Sequence, residues 1–126
     1  MLAVCTARRT INPLAARSQI IGGMTMGTVA ALMEELVVDK RAGFFVNHDL
    51  AGYEVPVDAE LVHQEVIFLD EVDPTAGPLK VKGVGELGIS RLPEAIANAV
   101  CAATGIRVRE YPITLDKLIT KMPMAV

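Results

Sequence analysis

The sequence predicts an α+β fold, on three observations. Apolar residues recur at helical spacing after Asn12-Pro13. Short β-type apolar runs stand at Met1 to Cys5 and at Glu65 to Leu69. Strand and helix patterns follow one another without the regular alternation of a doubly wound parallel sheet. With 126 residues, 52% of them apolar, the chain is long enough for one domain with a real core.

Taken in order, Met1 to Cys5 is apolar and has no turn signal before it, so it reads as a strand whose partners lie elsewhere. Asn12-Pro13 opens a helix, because an asparagine side chain caps free amide donors and proline's fixed φ suits the first helical position. Ala16, Ile20, Met24, Leu32, Met33 and Leu36 then keep helical spacing, and Ile20 to Val38 reads as a buried helix. Gly22, Gly23 and Gly27 inside it each cost about 1 kcal/mol relative to alanine, which close packing of another backbone would offset. Val37 to Val46 suits a short hairpin turning at Gly43, and Asn47 to Asp58 an extended loop. Glu65 to Leu69 reads as a mostly buried strand, with a loop from Asp70 to Pro78. Lys80 to Ser90 is punctuated by glycine. Pro93 to Thr104 is a second helix with Ala95, Ile96, Ala99, Val100 and Ala103 inward and Gly105 as its stop. Ile106 to Tyr111 is a strand candidate, Thr114 caps a last short helix, and Lys121 to Val126 is expected to fray.

The formal net charge of −3 leaves no basic field for nucleic acid. No run of about 18 apolar residues is uninterrupted, so no membrane span is expected. At the N-terminus the charges of Arg8-Arg9 follow the apolar part, the reverse of a secretory signal. The expectation is a soluble cytoplasmic protein, with periplasmic co-export alongside a signal-bearing partner left open. Cys5 and Cys101 are too few and too far apart for an iron–sulfur or zinc site, and read as buried small residues. His48 and His63 lack helical ligand spacing and read as surface or turn residues.

Two stretches could carry chemistry. In Lys82-Gly83-Val84-Gly85-Glu86-Leu87-Gly88, glycines around one carboxylate let backbone approach a ligand while presenting the acid. Taken alone, that run also suits an ordinary turn with a solvated glutamate. Arg9-Thr10-Ile11-Asn12-Pro13-Leu14-Ala15, followed by Arg17 and Gln19, places arginines at a helix start, where free amides and the dipole favour a phosphate. A capped helix with solvated arginines is the bland alternative.

The two stretches occur together, in order, within a longer pattern. It comprises Asn12-Pro13, Ala16-Arg17-Ser18-Gln19-Ile20-Ile21-Gly22-Gly23-Met24, Ala31-Leu32-Met33-Glu34-Glu35, Asn47-His48, Leu50-Ala51, Tyr53, Val55-Pro56-Val57, Lys82 to Ile89, Ala95 to Val100, Ala103 to Arg109 and Pro112 to Lys117. This pattern resembles the C-terminal part of the molybdopterin-binding subunits of the xanthine dehydrogenase and aldehyde oxidase family, closest to the bacterial aldehyde oxidoreductase branch. The resemblance implies that residues 1–126 form a single partial domain, the C-terminal segment of a molybdenum-cofactor-binding domain.

It further implies hydroxylation of an aldehyde or N-heterocycle with water-derived oxygen, with Glu86 as the catalytic base in a partly desolvated pocket. Arg9, Thr10, Ile11, Asn12, Pro13, Leu14, Ala15 and Gln19 would hold the molybdenum-molybdopterin cofactor in its cytosine dinucleotide form. Lys82, Gly83, Val84 and Gly85 would lie against that cofactor, and no side chain here would ligate the metal. Iron–sulfur clusters and FAD would sit on partner subunits, and the remainder of the molybdopterin-binding subunit would complete the cradle. The isolated chain is accordingly expected to be inactive and to self-associate through Met1 to Cys5 and the glycine face of the first helix. A non-catalytic binding or assembly module that kept the fold is the alternative. Where the family has Asp-x-Gly-Arg before Asn-Pro, this chain reads Thr6-Ala7-Arg8-Arg9. Arg91 and Pro93 replace mostly small residues after the glutamate loop.

Overall fold

The computed structural model describes residues 1–71, 73–75 and 77–122. Its elements run β1 (Leu2–Cys5), α1 (Pro13–Leu32), β2 (Val38–Asp39), β3 (Phe44–Phe45), β4 (Glu65–Phe68), α2 (Leu92–Thr104) and α3 (Leu115–Ile119), the mixed α+β content that the sequence predicts.

The strand β1 finds its partner within the chain, contrary to expectation. It pairs in parallel with β4, Leu2 opposite Glu65 and Cys5 opposite Phe68. A parallel pair needs a long crossover, so nothing in the local pattern announces it. The helix α1 supplies that crossover and packs on the pair. Ile20 and Met24, one turn apart, are fully buried against Val66, with Ala3, Cys5, Phe68, Val84 and Leu92 closing around them. Of β4 only Val66 is buried. Ile67 and Leu69 are exposed, so a mostly buried strand is not what forms: α1 covers a single face of the pair.

The helix α1 begins as predicted. Asn12 has extended backbone, and its Oδ1 accepts from the Ala15 amide at 3.1 Å. It ends at Leu32, short of Leu36, which is 69% exposed. Glu34-Glu35 would place two negative charges at the negative end of the dipole, and no basic residue stands in the last turn to compensate. The last-turn carbonyl of the buried Ala31 is instead satisfied by the Ile113 amide at 2.7 Å. The hairpin β2–β3 forms as predicted, with Val38 opposite Phe45 and Gly43 at φ 73.

Close backbone packing holds at Gly23, whereas at Gly27 the tight neighbour is a side chain. A Cβ on Gly23 would lie 2.8 Å from the backbone of Gly88, and one on Gly27 would lie 2.9 Å from Leu92. The position of Gly88 is equally tight, since a Cβ there would overlap the carbonyl of Ile20. Gly22 faces open space. The glycine face of α1 is therefore largely covered by the glutamate loop and the start of α2, and is not the bare surface that the sequence suggested.

The helix α2 stops at Gly105 in the left-handed region, as expected. None of its residues is buried, and Ala95, Ala99 and Ala103, expected inward, are exposed. Leu92 at its start packs against Gly27 of α1, and Ile96, one turn on, lines a cavity with Thr28 and Leu32 of the same helix. Residues 106–111 form no strand: Pro112 offers no amide, and no neighbouring edge is in place to pair with them. Thr114 precedes α3 without a side-chain capping bond. Of the expected fraying at Lys121 to Val126, residues 123–126 lie outside the described residues. No helix of the described residues is long and apolar enough to cross a membrane.

Candidate cofactor site

The end of β1 and the approach to the glutamate loop are zipped antiparallel. The Arg9 amide donates to the Lys80 carbonyl and the Lys82 amide to the Ala7 carbonyl, both at 3.2 Å, with Arg8 opposite Val81. This brings Arg9 to Ala15 and Lys82 to Gly85, far apart in sequence, to the two sides of one cleft of about 450 Å³. Gln19 ties the sides together, its Nε2 donating to the Gly85 carbonyl at 2.5 Å.

Nine of the twelve expected cofactor residues line this cleft: Arg9, Thr10, Ile11, Asn12, Ala15, Gln19, Lys82, Val84 and Gly85. Pro13, Leu14 and Gly83 are not among its lining residues, and Leu14 is 82% exposed on another side of the helix. Ala7, Ala16 and Val81 complete the wall and were missed. Ala16 sits one turn below Asn12 and was legible from helical spacing, whereas Ala7 and Val81 enter only through the long-range bridge.

The charges arrange themselves less simply. Lys82 donates to Glu71 at 2.8 Å and lies 3.1 Å from Asp73. Glu71 also accepts from the Thr6 hydroxyl at 2.7 Å. The hydrogen bond to Glu71, then that to Asp73, pushes the Lys82 ammonium above its ordinary value. Glu71 is held low by Lys82 and then Thr6; Asp73 is held low by the Thr75 hydroxyl and amide first, and by Lys82 after them. Arg17, expected near the anion seat, instead donates to the Val66 carbonyl of β4 at 3.2 Å. Among the described residues this leaves Arg9 as the cleft-lining cation with no carboxylate in ion-pair reach.

Arg8 stands at φ 57, with Nη1 shielded from solvent and lacking an acceptor among the described residues. Glycine adopts that left-handed backbone without strain, so the arginine side chain carries a conformational cost here. Arg91, at φ 64, likewise closes the turn that starts α2.

Glu86 follows Gly85 directly and is exposed. Its carbonyl accepts from the amides of Ile89 and Ser90, both at 3.3 Å, and this turn fixes the backbone beside Gly88. Among the described residues no hydrogen bond or ion pair reaches its carboxylate. Glu86 is not itself among the cleft-lining residues; the chain leaves the acid exposed, next to Gly85, which is. Elsewhere, the Cys5 thiol is raised by burial and is a poor nucleophile, and both cysteines are free.

This α+β frame superposes on parts of solved oxidoreductases. The aldehyde oxidoreductase of Desulfovibrio desulfuricans superposes with a TM-score of 0.82 at 28% identity, over 98% of this chain and 13% of that one. The quinoline 2-oxidoreductase of Pseudomonas putida superposes with a TM-score of 0.82 at 26% identity, over 97% of this chain and 16% of that one. Residues 1–62 match the family model described as the molybdopterin cofactor-binding domain. The aldehyde oxidoreductase molybdenum-binding subunit PaoC of Escherichia coli is 68% identical over 98% of this chain and 17% of its own length. A putative xanthine dehydrogenase molybdenum-binding subunit of the same organism is 35% identical over 91% of this chain and 15% of its own length. The chain belongs to the molybdopterin-binding family of xanthine dehydrogenases and aldehyde oxidoreductases. It spans 17% and 15% of the length of these two relatives.

Proposed function

We propose that the chain forms the C-terminal, base-bearing wall of the catalytic site in a molybdenum hydroxylase that oxidises aldehydes. The observation that carries this reading is the Gln19–Gly85 hydrogen bond, which fastens the helix mouth to the residue before Glu86 and makes one cleft of the two candidate stretches.

The residues present fit a pterin dinucleotide. The first-turn amides of α1 and the guanidinium of Arg9 suit its phosphates, and Gln19 presents an amide at the same wall. A Cβ on Gly83 or Gly85 would meet nothing in this chain, so packing within the chain does not call for glycine there; close approach of a bound group does. When bound, molybdenum-molybdopterin supplies Lewis acidity and a two-electron redox change. Glu86, free of any partner among the described residues, accepts the proton that the reaction releases. Walls from the remainder of the subunit supply the desolvation that raises its basicity. The cytosine dinucleotide form, and iron–sulfur and FAD partner subunits to carry electrons away, belong to the same reading. Aldehydes are favoured over N-heterocycles by the 68% identity to an aldehyde oxidoreductase subunit.

The test is Glu86→Gln in the complete assembled enzyme. Turnover should fall by about 10²- to 10⁴-fold while molybdenum and pterin content stay unchanged. Unaltered turnover would sink the base assignment and favour an assembly module.

A further inference from the structure

We infer that Lys82 is a positioning residue that clips the glutamate loop to the end of β1, and that it does not serve as a cation for the cofactor's phosphates. The inference rests on the reading of Glu86 as the base for its functional meaning, but its first measurement needs no cofactor.

Lys82 lines the cleft, where a lysine would ordinarily neutralise an anion. Its ammonium is instead committed to Glu71 at 2.8 Å and to Asp73 at 3.1 Å. Two carboxylates against one ammonium leave that cluster net negative, so it offers no attraction to a phosphate. Glu71 is shared with the Thr6 hydroxyl at 2.7 Å. One carboxylate thus joins the residue after β1, the loop after β4 and the residue that opens the glutamate loop. The backbone shows the same junction, because the Lys82 amide bonds the Ala7 carbonyl and the Arg9 amide bonds the Lys80 carbonyl. Val84 packs on the core and Gly88 seats on α1, but a Cβ on Gly83 or Gly85 would meet nothing, so at its Lys82 end the loop is tethered by the clip, the backbone bonds beside it and the Gln19 bond. Ion pairs this exposed are individually weak, so the expected effect is local and modest.

Amide hydrogen exchange on this chain tests it. In Lys82→Met, the amides of Arg9, Lys82, Ile89 and Ser90 should exchange about three- to tenfold faster, while those of α1 keep their wild-type rates and show the fold intact. Lys82→Arg should restore protection, and Glu71→Gln with Asp73→Asn should reproduce the loss. Protection in the wild type should also decline as the pH falls below about 4, and that pH dependence should vanish in the double variant. In the assembled enzyme, Lys82→Met should lower kcat about three- to tenfold at unchanged cofactor content. Unchanged exchange in Lys82→Met, or a loss of cofactor with the loop still protected, would overturn the inference. A failure of Glu86→Gln to affect turnover would remove the hydroxylase reading yet leave the exchange results standing.

Discussion

Asn12 and Arg8 stand four residues apart and show opposite relations between side chain and backbone. Asn12 satisfies an orphan helix amide, and Asn12→Ala should destabilise the fold by about 1 kcal/mol, read as a lowered thermal midpoint. Arg8 holds a left-handed φ of 57 that costs a side-chain-bearing residue about 1 to 2 kcal/mol. Arg8→Gly should therefore raise the midpoint, unless the guanidinium finds its acceptor in the rest of the subunit; an unchanged or lowered midpoint in the isolated chain counts against strain at this position. Glu71 and Asp73 have depressed folded-state pKa values, so the stability they contribute is present above their unfolded values and is lost as the pH falls through the folded ones. The isolated chain should accordingly loosen at the Thr6–Lys82 junction in acid, below about pH 4, before α1 melts; pH-dependent hydrogen exchange resolves the order.

Packing of α1 against the glutamate loop turns on which glycines touch. Gly23→Ala would drive a methyl into the Gly88 backbone, which cannot swing aside as a flexible side chain can, and should cost about 1 to 3 kcal/mol. Gly22→Ala, one residue earlier, meets open space and should stabilise by about 0.5 to 1 kcal/mol through helix propensity alone. Chemical unfolding of the pair checks both signs. Two equal effects would mean that α1 does not seat on Gly88. Because Gly88 stands two residues after Glu86, Gly23→Ala should also displace the acid and lower turnover in the assembled enzyme, at a position that touches no substrate.

The molecule as a whole exposes many large apolar side chains. Phe44, Phe45 and Val46 of the hairpin are each about half exposed, and Leu50 and Val62 are 92% and 87% exposed. The hairpin arm buries little of its own apolar surface. In the complete subunit it suits cover by the remaining chain, since relatives are several times longer. By itself the 126-residue chain should self-associate at micromolar concentration, and Phe44→Ser with Phe45→Ser should shift sedimentation toward monomer. A monomeric wild type would show the arm folding back on its own frame in solution.

Much of this architecture was readable in residue order because its causes are local. A capped Asn-Pro start, a left-handed Gly105 stop and a glycine-turned hairpin follow from a few neighbouring φ, ψ preferences and from hydrogen bonds between residues at most nine positions apart, as from Val46 to Val37. Both halves of the candidate site were legible for the same reason, each as a short stretch with its own chemistry. Pairing of β1 with β4, the contact of Gly23 with Gly88 and the Arg8–Val81 bridge join residues 63, 65 and 73 positions apart, as their numbering shows. Such contacts form when apolar burial offsets the entropy of closing a long loop, and no local pattern encodes which distant segment wins. That long-range closure assembles one cleft from the two stretches, turns Arg17 toward β4 and commits Lys82 to Glu71 and Asp73.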